Sequence, residues 1–197
     1  MLKVAHKAST PLPQVFHMPV LRNAHLPTHV FAVVEADADP SVPPLIVPID
    51  AAFYVHGFRV DLLPQAPQGT APPVPQFTPQ SQSQVVTLPV VPISVPHVAS
   101  IPLLLLFGLG LETQTNLLAW RLLPPHVIEE FPNAAAMAQV MARLGDEQLR
   151  RHIIYNHGLW KNVLALGIKD TRIVELVQTA WNVTAEARRL RQRGGQR

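Results

Sequence analysis

The chain has 197 residues, 48% of them hydrophobic, which is enough to form the core of one domain with extensions or of two small domains. It contains no cysteine, and this excludes a disulfide framework, a thiolate metal site and a cysteine nucleophile. The formal net charge is +3, and five arginines against one glutamate lie from Glu186 onward, so the rest of the chain is nearly neutral.

The N-terminal two thirds of the chain predict short elements, because all 21 prolines lie at or before Pro132 and exclude long helices there. Residues 1–27 show no clear apolar period and predict an extended arm. They also lack the apolar core of a signal peptide, which indicates an intracellular protein, nuclear or cytoplasmic. Residues 28–36 are rich in valine and aromatic side chains and predict a strand. A second strand is predicted at 45–47, followed by a helix with Asp50 as its N-cap.

The next two segments are rich in proline. Residues 64–84 consist mainly of proline, glutamine, serine and glycine, which cannot offset the entropy of ordering, so we predict a flexible insertion within the domain. Their PPVP sequence is similar to a polyproline ligand, but no basic residue flanks it, and a linker is favoured. Residues 85–95 are β-branched and interrupted by proline, and they predict an edge strand or an extended segment rather than a central strand.

The most apolar stretch is SIPLLLLFGLGLET, residues 100–113. Its apolar run is about half of the roughly 20 residues that cross a bilayer, which argues against a membrane anchor. Its Gly-Leu-Gly lacks the third glycine of a dinucleotide-binding fingerprint and does not follow a clean strand, which argues against a phosphate site. The remaining prediction is a short core helix with Pro102 in its first turn and Gly108 or Gly110 at its end.

The last part of the chain predicts packed helices with ordinary ends. A short amphipathic helix is predicted at 116–125, Asn133 caps the next helix, Asp146 starts the longest one, and Asp170 caps the last. The apolar stripe of the last helix is Ile173, Leu176, Val177, Ala180, Trp181 and Thr184. Together the segments predict a single α+β domain over residues 28–185, followed by a basic disordered tail at 186–197.

No motif for chemistry stands out. Pro27 separates His25 from His29, and His152 and His157 are five residues apart, so neither pair shows metal-ligand spacing on one helix face. The sequence contains no nucleophile elbow, no phosphate-binding loop and no zinc-protease motif. We therefore expect no enzymatic activity, no catalytic residues, no cofactor and no metal.

Two groups of residues are candidates for interaction. Large aromatic side chains dominate binding energy when an interface buries them, although on an apolar helix stripe they more often fill a core. These candidates are Tyr155, Trp160 and Trp181. The arginines of the tail could bind phosphates, act as a nuclear-import signal, or form a solvated terminus. They are Arg188, Arg189, Arg191 and Arg193.

Three groups of segments resemble the clampless-one-like proteins of mushroom-forming fungi and their relatives, in order and rough spacing. The segments are THVFAVV before LIVPIDAAF; LPVVPISVPHVASIPLLLLF leading into NLLAWRLLP; and HGLWKNVLALGIKD followed by a helix containing Ala180-Trp181. The resemblance implies a non-enzymatic regulator of fungal sexual development that acts downstream of homeodomain mating-type proteins. Such a regulator is needed for clamp-connection formation and the dikaryotic cell cycle, and acts by binding transcription regulators.

The same segments resemble a BTB/POZ fold, which implies short strands with helical hairpins and a helical C-terminal part. The short helix of that fold would contain Ile101, Leu103, Leu104 and Phe107. The sequence departs from the pattern in two places. Asp50 stands where a histidine is usual, and Leu109-Gly110 replaces the aromatic-Thr-Gly end of the short helix, which puts the dimer surface in doubt.

The expected partners are proteins, transcription factors among them, and a second copy of the chain; we expect no membrane, and no nucleic acid as primary partner. Two alternatives stay open. A nucleic-acid-binding module would use the arginine tail, and removal of 186–197 would then abolish salt-sensitive binding. A small-molecule-binding or catalytic domain would need a cavity lined by the leucines, with a polar cluster opening into it.

Overall fold

The chain forms two compact units, residues 1–98 and 99–197. The computed structural model describes residues 13–20, 25–39, 41–64, 73–78 and 83–194. Within these ranges the first unit contains a sheet and one helix, and the second unit contains helices. The α+β class predicted from the sequence is therefore confirmed. The single domain predicted for residues 28–185 includes parts of both units.

The sheet of the first unit is built around its longest strand. The elements are β1 (Val15–Pro19), β2 (His29–Glu35), β3 (Leu45–Ile49), α1 (Ala51–Gly57), β4 (Gln76–Thr78) and β5 (Ser83–Val95). The strand order is β1-β5-β2-β3, and β4 also pairs with β5. β2 and β5 are parallel, with Val30 opposite Val90, and the other pairs are antiparallel. β2 and β3 confirm the two predicted strands.

β5 is a central strand, so the prediction of an edge strand at 85–95 is wrong. The reason lies in where its prolines fall. The amide of Val90 donates to the carbonyl of Gln14, 3.0 Å away, on the β1 side. Because backbone amides alternate along a strand, the nitrogen of Pro92 also faces the β1 side, at a position beyond the last β1–β5 pair. The nitrogen of Pro89 faces the β2 side, one residue before pairing with β2 begins. Neither proline stands where the described ladder needs a donor.

Two segments predicted to be irregular contain strands. β1 lies in the predicted arm, and its Phe16 and Met18 pack on a buried cluster that includes Val86 and Leu88 of β5. β4 lies in the predicted flexible insertion and pairs with the start of β5. Backbone hydrogen bonds to a distant strand therefore order these stretches, and local composition does not reveal such bonds. The rest of these two predictions, at 1–12, 21–24, 65–72 and 79–82, lies outside the described residues.

The predicted helix cap at Asp50 is confirmed. Its Oδ1 accepts the backbone N–H of Phe53 at 3.0 Å, and α1 then continues to Gly57. The helix buries Tyr54, whose ring stacks on Phe58 and meets Phe31 of β2 edge to face. Burial raises the pKa of the Tyr54 hydroxyl, which donates to the carbonyl of Val60. α1 is thus fixed to the sheet by aromatic packing.

The second unit is a bundle of helices organised around its last helix. The helices are α2 (Ile101–Gly108), α3 (Thr115–Leu122), α4 (Pro125–Ile128), α5 (Ala134–Ala142), α6 (Asp146–Leu166) and α7 (Thr171–Gly194). α7 packs against α3, α5 and α6, and α2 packs against α6. The predicted caps are confirmed, since Asn133 accepts the N–H of Ala136 and Asp170 accepts that of Arg172. Among the helices of the described ranges, none has both the length and the apolar character required to cross a membrane.

α2 confirms the prediction of a short core helix within residues 100–113. Pro102 lies in its first turn, and Gly110 follows its end with a φ of 69°, a conformation that glycine adopts without a Cβ clash. The helix is buried through Ile101, Leu104, Leu105, Phe107 and Gly108.

The prediction of a disordered tail at 186–197 requires correction. α7 continues to Gly194, so residues 186–194 are helical. The tail is ordered because Ala187 is buried and because Arg191 donates to the carbonyl of Leu144 at 2.7 Å. The charge count could not reveal these tertiary contacts. The last three residues, 195–197, lie outside the described part.

Candidate interaction groove

An apolar groove lies beside α2 and α3 in the second unit. It has a volume of ≈ 430 Å³. Five of the seven residues that line it are apolar, which is typical of sites that bind proteins or apolar ligands. The lining residues are Leu103, Leu106, Phe107, Glu112, Leu117, Trp120 and Arg121.

α3 presents Trp120 to solvent because its other face is buried. Leu118 and Leu122 are four residues apart, share one helix face, and are both buried. Trp120 lies between them in sequence and therefore on the opposite side, where it is 56% exposed. The sequence analysis did not select Trp120. The sequence pattern that could have identified Trp120 is its position two residues from each of two leucines that share the opposite helix face.

The C-terminal end of α3 is held by two side chains of α6. The carbonyl of Leu122 accepts hydrogen bonds from His152 Nδ1 and from Asn156 Nδ2, each at 3.1 Å. Asn156 is fully buried, and its Oδ1 forms no hydrogen bond with the described residues. These two bonds satisfy a carbonyl that the helix itself leaves unpaired, and they fix the end of α3 relative to α6.

α2 is also tied to α6 by a buried polar contact. Asn162 Nδ2 donates to the Oγ of Ser100 at 2.9 Å, and both side chains are fully buried. A buried hydrogen bond of this kind is costly to break, because the remaining group cannot recover a partner from water. α6 therefore positions both helices that form the groove.

The rim of the groove carries one acidic and one basic side chain. Glu112 Oε1 accepts the backbone N–H groups of Thr113 and Gln114, each at 2.8 Å, which fixes the loop between α2 and α3. Arg121 forms no hydrogen bond or ion pair with the residues that the structure describes. Burial raises the pKa of the Tyr155 hydroxyl, and the positive charge of Arg121 opposes that shift. The groove thus combines an apolar surface with two opposite charges.

The three predicted aromatic residues lie on α6 and α7 and do not line the groove. Tyr155, Trp160 and Trp181 are all half-buried. The indole of Trp181 stacks on the imidazole of His157, with ring centroids 4.5 Å apart. Their role as interaction residues stays a prediction.

The four predicted arginines do not form one free basic patch. Arg191 binds the carboxylate of Asp146 as well as the carbonyl of Leu144. Arg189 pairs with Glu186 at 3.0 Å. Arg188 and Arg193 are exposed on α7. Two of the four charges therefore contact acidic side chains of the same unit.

The histidines are dispersed through the structure. His25 Nε2 lies 3.0 Å from Asp50 Oδ2, and its ring stacks on Phe53. His29 instead contacts the hydroxyl of Thr28 at 2.9 Å. Within the described ranges, no three histidine or acidic side chains are grouped so that they could hold a metal ion.

We expect acidification to destabilise the folded chain through its half-buried histidines. Burial lowers the pKa of His152, as does the nearby charge of Arg151, while the bond to Leu122 opposes the shift. Burial also lowers the pKa of His29 and His157. Below about pH 6.5 the unfolded chain then binds more protons than the folded chain, so stability rises with pH through this window and falls on acidification.

Urea unfolding at about pH 7.5 and about pH 5.5 tests this pH dependence. The free energy of unfolding should be lower at the acidic pH, and the difference should shrink in His152→Gln. His126→Gln, at an exposed position, is the matched control. A pH dependence that is identical in the His152→Gln variant and the unchanged chain would contradict the assignment to His152.

The comparisons with known proteins bear on the second unit. Residues 115–196 match the family model of the Clampless protein 1 C-terminal domain. A comparison with curated proteins and one with solved structures gave no match, so the BTB/POZ-like architecture stays a prediction. The matched region begins at the start of α3, includes Trp120 and Arg121, and covers all the helices that follow. Residues 115–196 are therefore similar to the C-terminal domain of the clampless-one-like family.

Proposed function

We propose that this protein is a non-enzymatic interaction module that regulates fungal sexual development, including clamp-connection formation, by binding transcription regulators in the nucleus or cytoplasm. The observation that carries the proposal is the apolar groove, whose α3 wall lies in the region that matches the family model. The family supplies the developmental setting, and the groove supplies a surface on which a protein partner can bury apolar area.

The composition of the groove supports binding rather than catalysis. Its two ionisable side chains are Glu112 and Arg121. One oxygen of Glu112 is already engaged by two backbone N–H groups, and an arginine stays protonated near neutral pH and cannot act as a base. Neither side chain is placed as half of a nucleophile and base pair. This supports the proposal that the domain acts through contact with other proteins.

Trp120 is the residue on which we expect binding energy to concentrate. Tryptophan is enriched among the few interface residues that carry most of the binding energy, because its ring buries a large area at low entropic cost. Trp120 is already exposed at the mouth of an apolar groove. A partner can therefore cover it without rearranging the core.

The arginines favour a protein partner over a nucleic acid as the primary one. A nucleic-acid site needs several cations that are free to neutralise phosphates. In the second unit, Arg191 and Arg189 are paired with Asp146 and Glu186. Of the four arginines predicted to contact phosphates, only Arg188 and Arg193 are then left without an acidic partner among the described residues.

The test is complementation in a clamp-forming fungus from which the gene has been deleted. The unchanged chain should restore clamp connections, and Trp120→Ala should restore few or none, because about 2 kcal/mol or more of binding energy is lost at a hot spot. Leu164→Ala is the matched control, since Leu164 is 62% exposed on α6 and does not line the groove. Equal protein levels are checked by immunoblot. Full restoration by Trp120→Ala would rule out the groove as the functional site.

A further inference from the structure

The groove face offers both halves of a self-complementary contact. Trp120 and Leu106 project from it, 56% and 40% exposed, while Leu103, Phe107 and Leu117 form the walls of the groove beside them. Leu111, which precedes the groove residue Glu112 in the sequence, is 60% exposed. In a two-fold symmetric dimer the same patch is used by both copies, so a projecting side chain of one copy enters the groove of the other.

The charges at the rim select among partners. Because the rim carries one charge of each sign, it favours neither a strongly acidic nor a strongly basic partner. A second copy related by a two-fold axis matches both charges. Arg121 of each copy can then face Glu112 of the other copy. The second carboxylate oxygen of Glu112 and the guanidinium of Arg121 form no hydrogen bond or ion pair with the described residues, so both remain available for such contacts.

We infer that the occupant of the groove is a second copy of this chain, bound in a two-fold dimer that buries Trp120 and pairs Arg121 with Glu112 across the interface. The inference rests on the proposed function in one respect, that the groove is a protein-binding site. It adds the identity of the partner and the residues that decide it. The groove then serves the proposed function by forming the dimer, to which transcription regulators bind at another surface.

A charge exchange between two variants of the full chain tests this dimer. R121E leaves two acidic groups facing each other, and E112R leaves two basic groups. Each variant alone should dimerise at least about tenfold more weakly than the unchanged chain. When the two variants are mixed, both opposite-charge contacts are restored, and the mixture should again form dimers. The masses are measured by light scattering on a sizing column over a range of concentrations.

Three further samples complete the experiment. W120A should be mainly monomeric at concentrations at which the unchanged chain is dimeric. R188E is the control for a change of charge at an exposed arginine of α7, and it should dimerise normally. Circular dichroism of every variant checks that the helices are intact. If E112R disturbs the loop that Glu112 holds, the dimerisation of R121E alone, compared with that of the unchanged chain, tests the charge contact.

Several results would overturn the inference. The unchanged chain could remain monomeric at every concentration, or R121E could dimerise as tightly as the unchanged chain, or the mixture could fail to dimerise although both variants are folded. A monomeric protein whose W120A variant still fails to restore clamp connections would reject the second copy as occupant while leaving the groove as the site of another partner. Dimerisation of the mixture, but not of its components, would support the two-fold arrangement.

Discussion

Leu122→Ala is expected to lower the free energy of unfolding by about 2–5 kcal/mol. Leu122 is fully buried on the core-facing side of α3, so the truncation removes apolar contacts and leaves a cavity. Because its carbonyl is the acceptor for His152 and Asn156, relaxation around the cavity should also loosen the end of α3. Urea unfolding monitored by circular dichroism measures the change.

Two variants control for this loss. Leu164→Ala removes the same atoms from an exposed site on α6 and should change the free energy of unfolding by less than about 0.5 kcal/mol. Leu122→Met keeps the volume of the side chain and should cost less than about 1.5 kcal/mol. Equal effects of Leu122→Ala and Leu164→Ala would contradict the burial of α3 described above.

Removal of residues 186–197 is expected to lower the free energy of unfolding by about 2–4 kcal/mol. The deletion takes away the buried Ala187, the half-buried Leu190 and the hydrogen bond from Arg191 to the Leu144 carbonyl. A chain that ends at Gly194 retains all these contacts and should unfold like the full chain. Thermal and urea unfolding of the two truncated chains, compared side by side, measure the difference.

This result changes how the arginines should be tested for nucleic-acid binding. A chain truncated at residue 185 would lose packing as well as charge, so lost binding would not identify a phosphate contact. Substitution of the exposed Arg188 and Arg193 by glutamine removes two charges and leaves Arg191 in place.

Unchanged stability of the truncated chain, within about 0.5 kcal/mol, would contradict the structural role assigned to the end of α7.

The elements that sequence analysis located correctly are those with local physical causes. Asp50, Asn133 and Asp170 start helices because a carboxylate or amide oxygen accepts a backbone N–H two or three residues later. Pro102 and Gly110 bracket α2 because one has no amide hydrogen and the other adopts a positive φ. These causes act within a few residues, so they can be recognised without knowledge of the fold.

The elements that were missed depend on distant partners. β5 can be a central strand because Pro89 and Pro92 lie at positions where its ladders with β1 and β2 need no amide donor. Those positions are known only once the pairing with both strands is known. Similarly, the arginine-rich end of α7 is ordered in part by the hydrogen bond from Arg191 to the carbonyl of Leu144, 47 residues away in the sequence. Composition describes these segments but does not specify their contacts.

The groove could be predicted only in part. The sequence indicated that α2 is a core helix and α3 an amphipathic one, but it did not indicate that they meet at a groove. That depends on α6, whose Asn156 and Asn162 are polar residues at fully buried positions and look like surface residues in the sequence. They hold α3 and α2, respectively, by hydrogen bonds to a backbone carbonyl and to a serine hydroxyl.

The position of α7 has a consequence for the order of folding during synthesis. α7 packs against α3, α5 and α6, so it supplies a surface that three earlier helices share. Because domains fold as their segments leave the ribosome, these helices cannot bury that surface until residues 171–194 have been translated and released. Until then their apolar faces are exposed in the nascent chain, where chaperones that recognise such surfaces would bind. The helical unit therefore completes its folding after synthesis of α7.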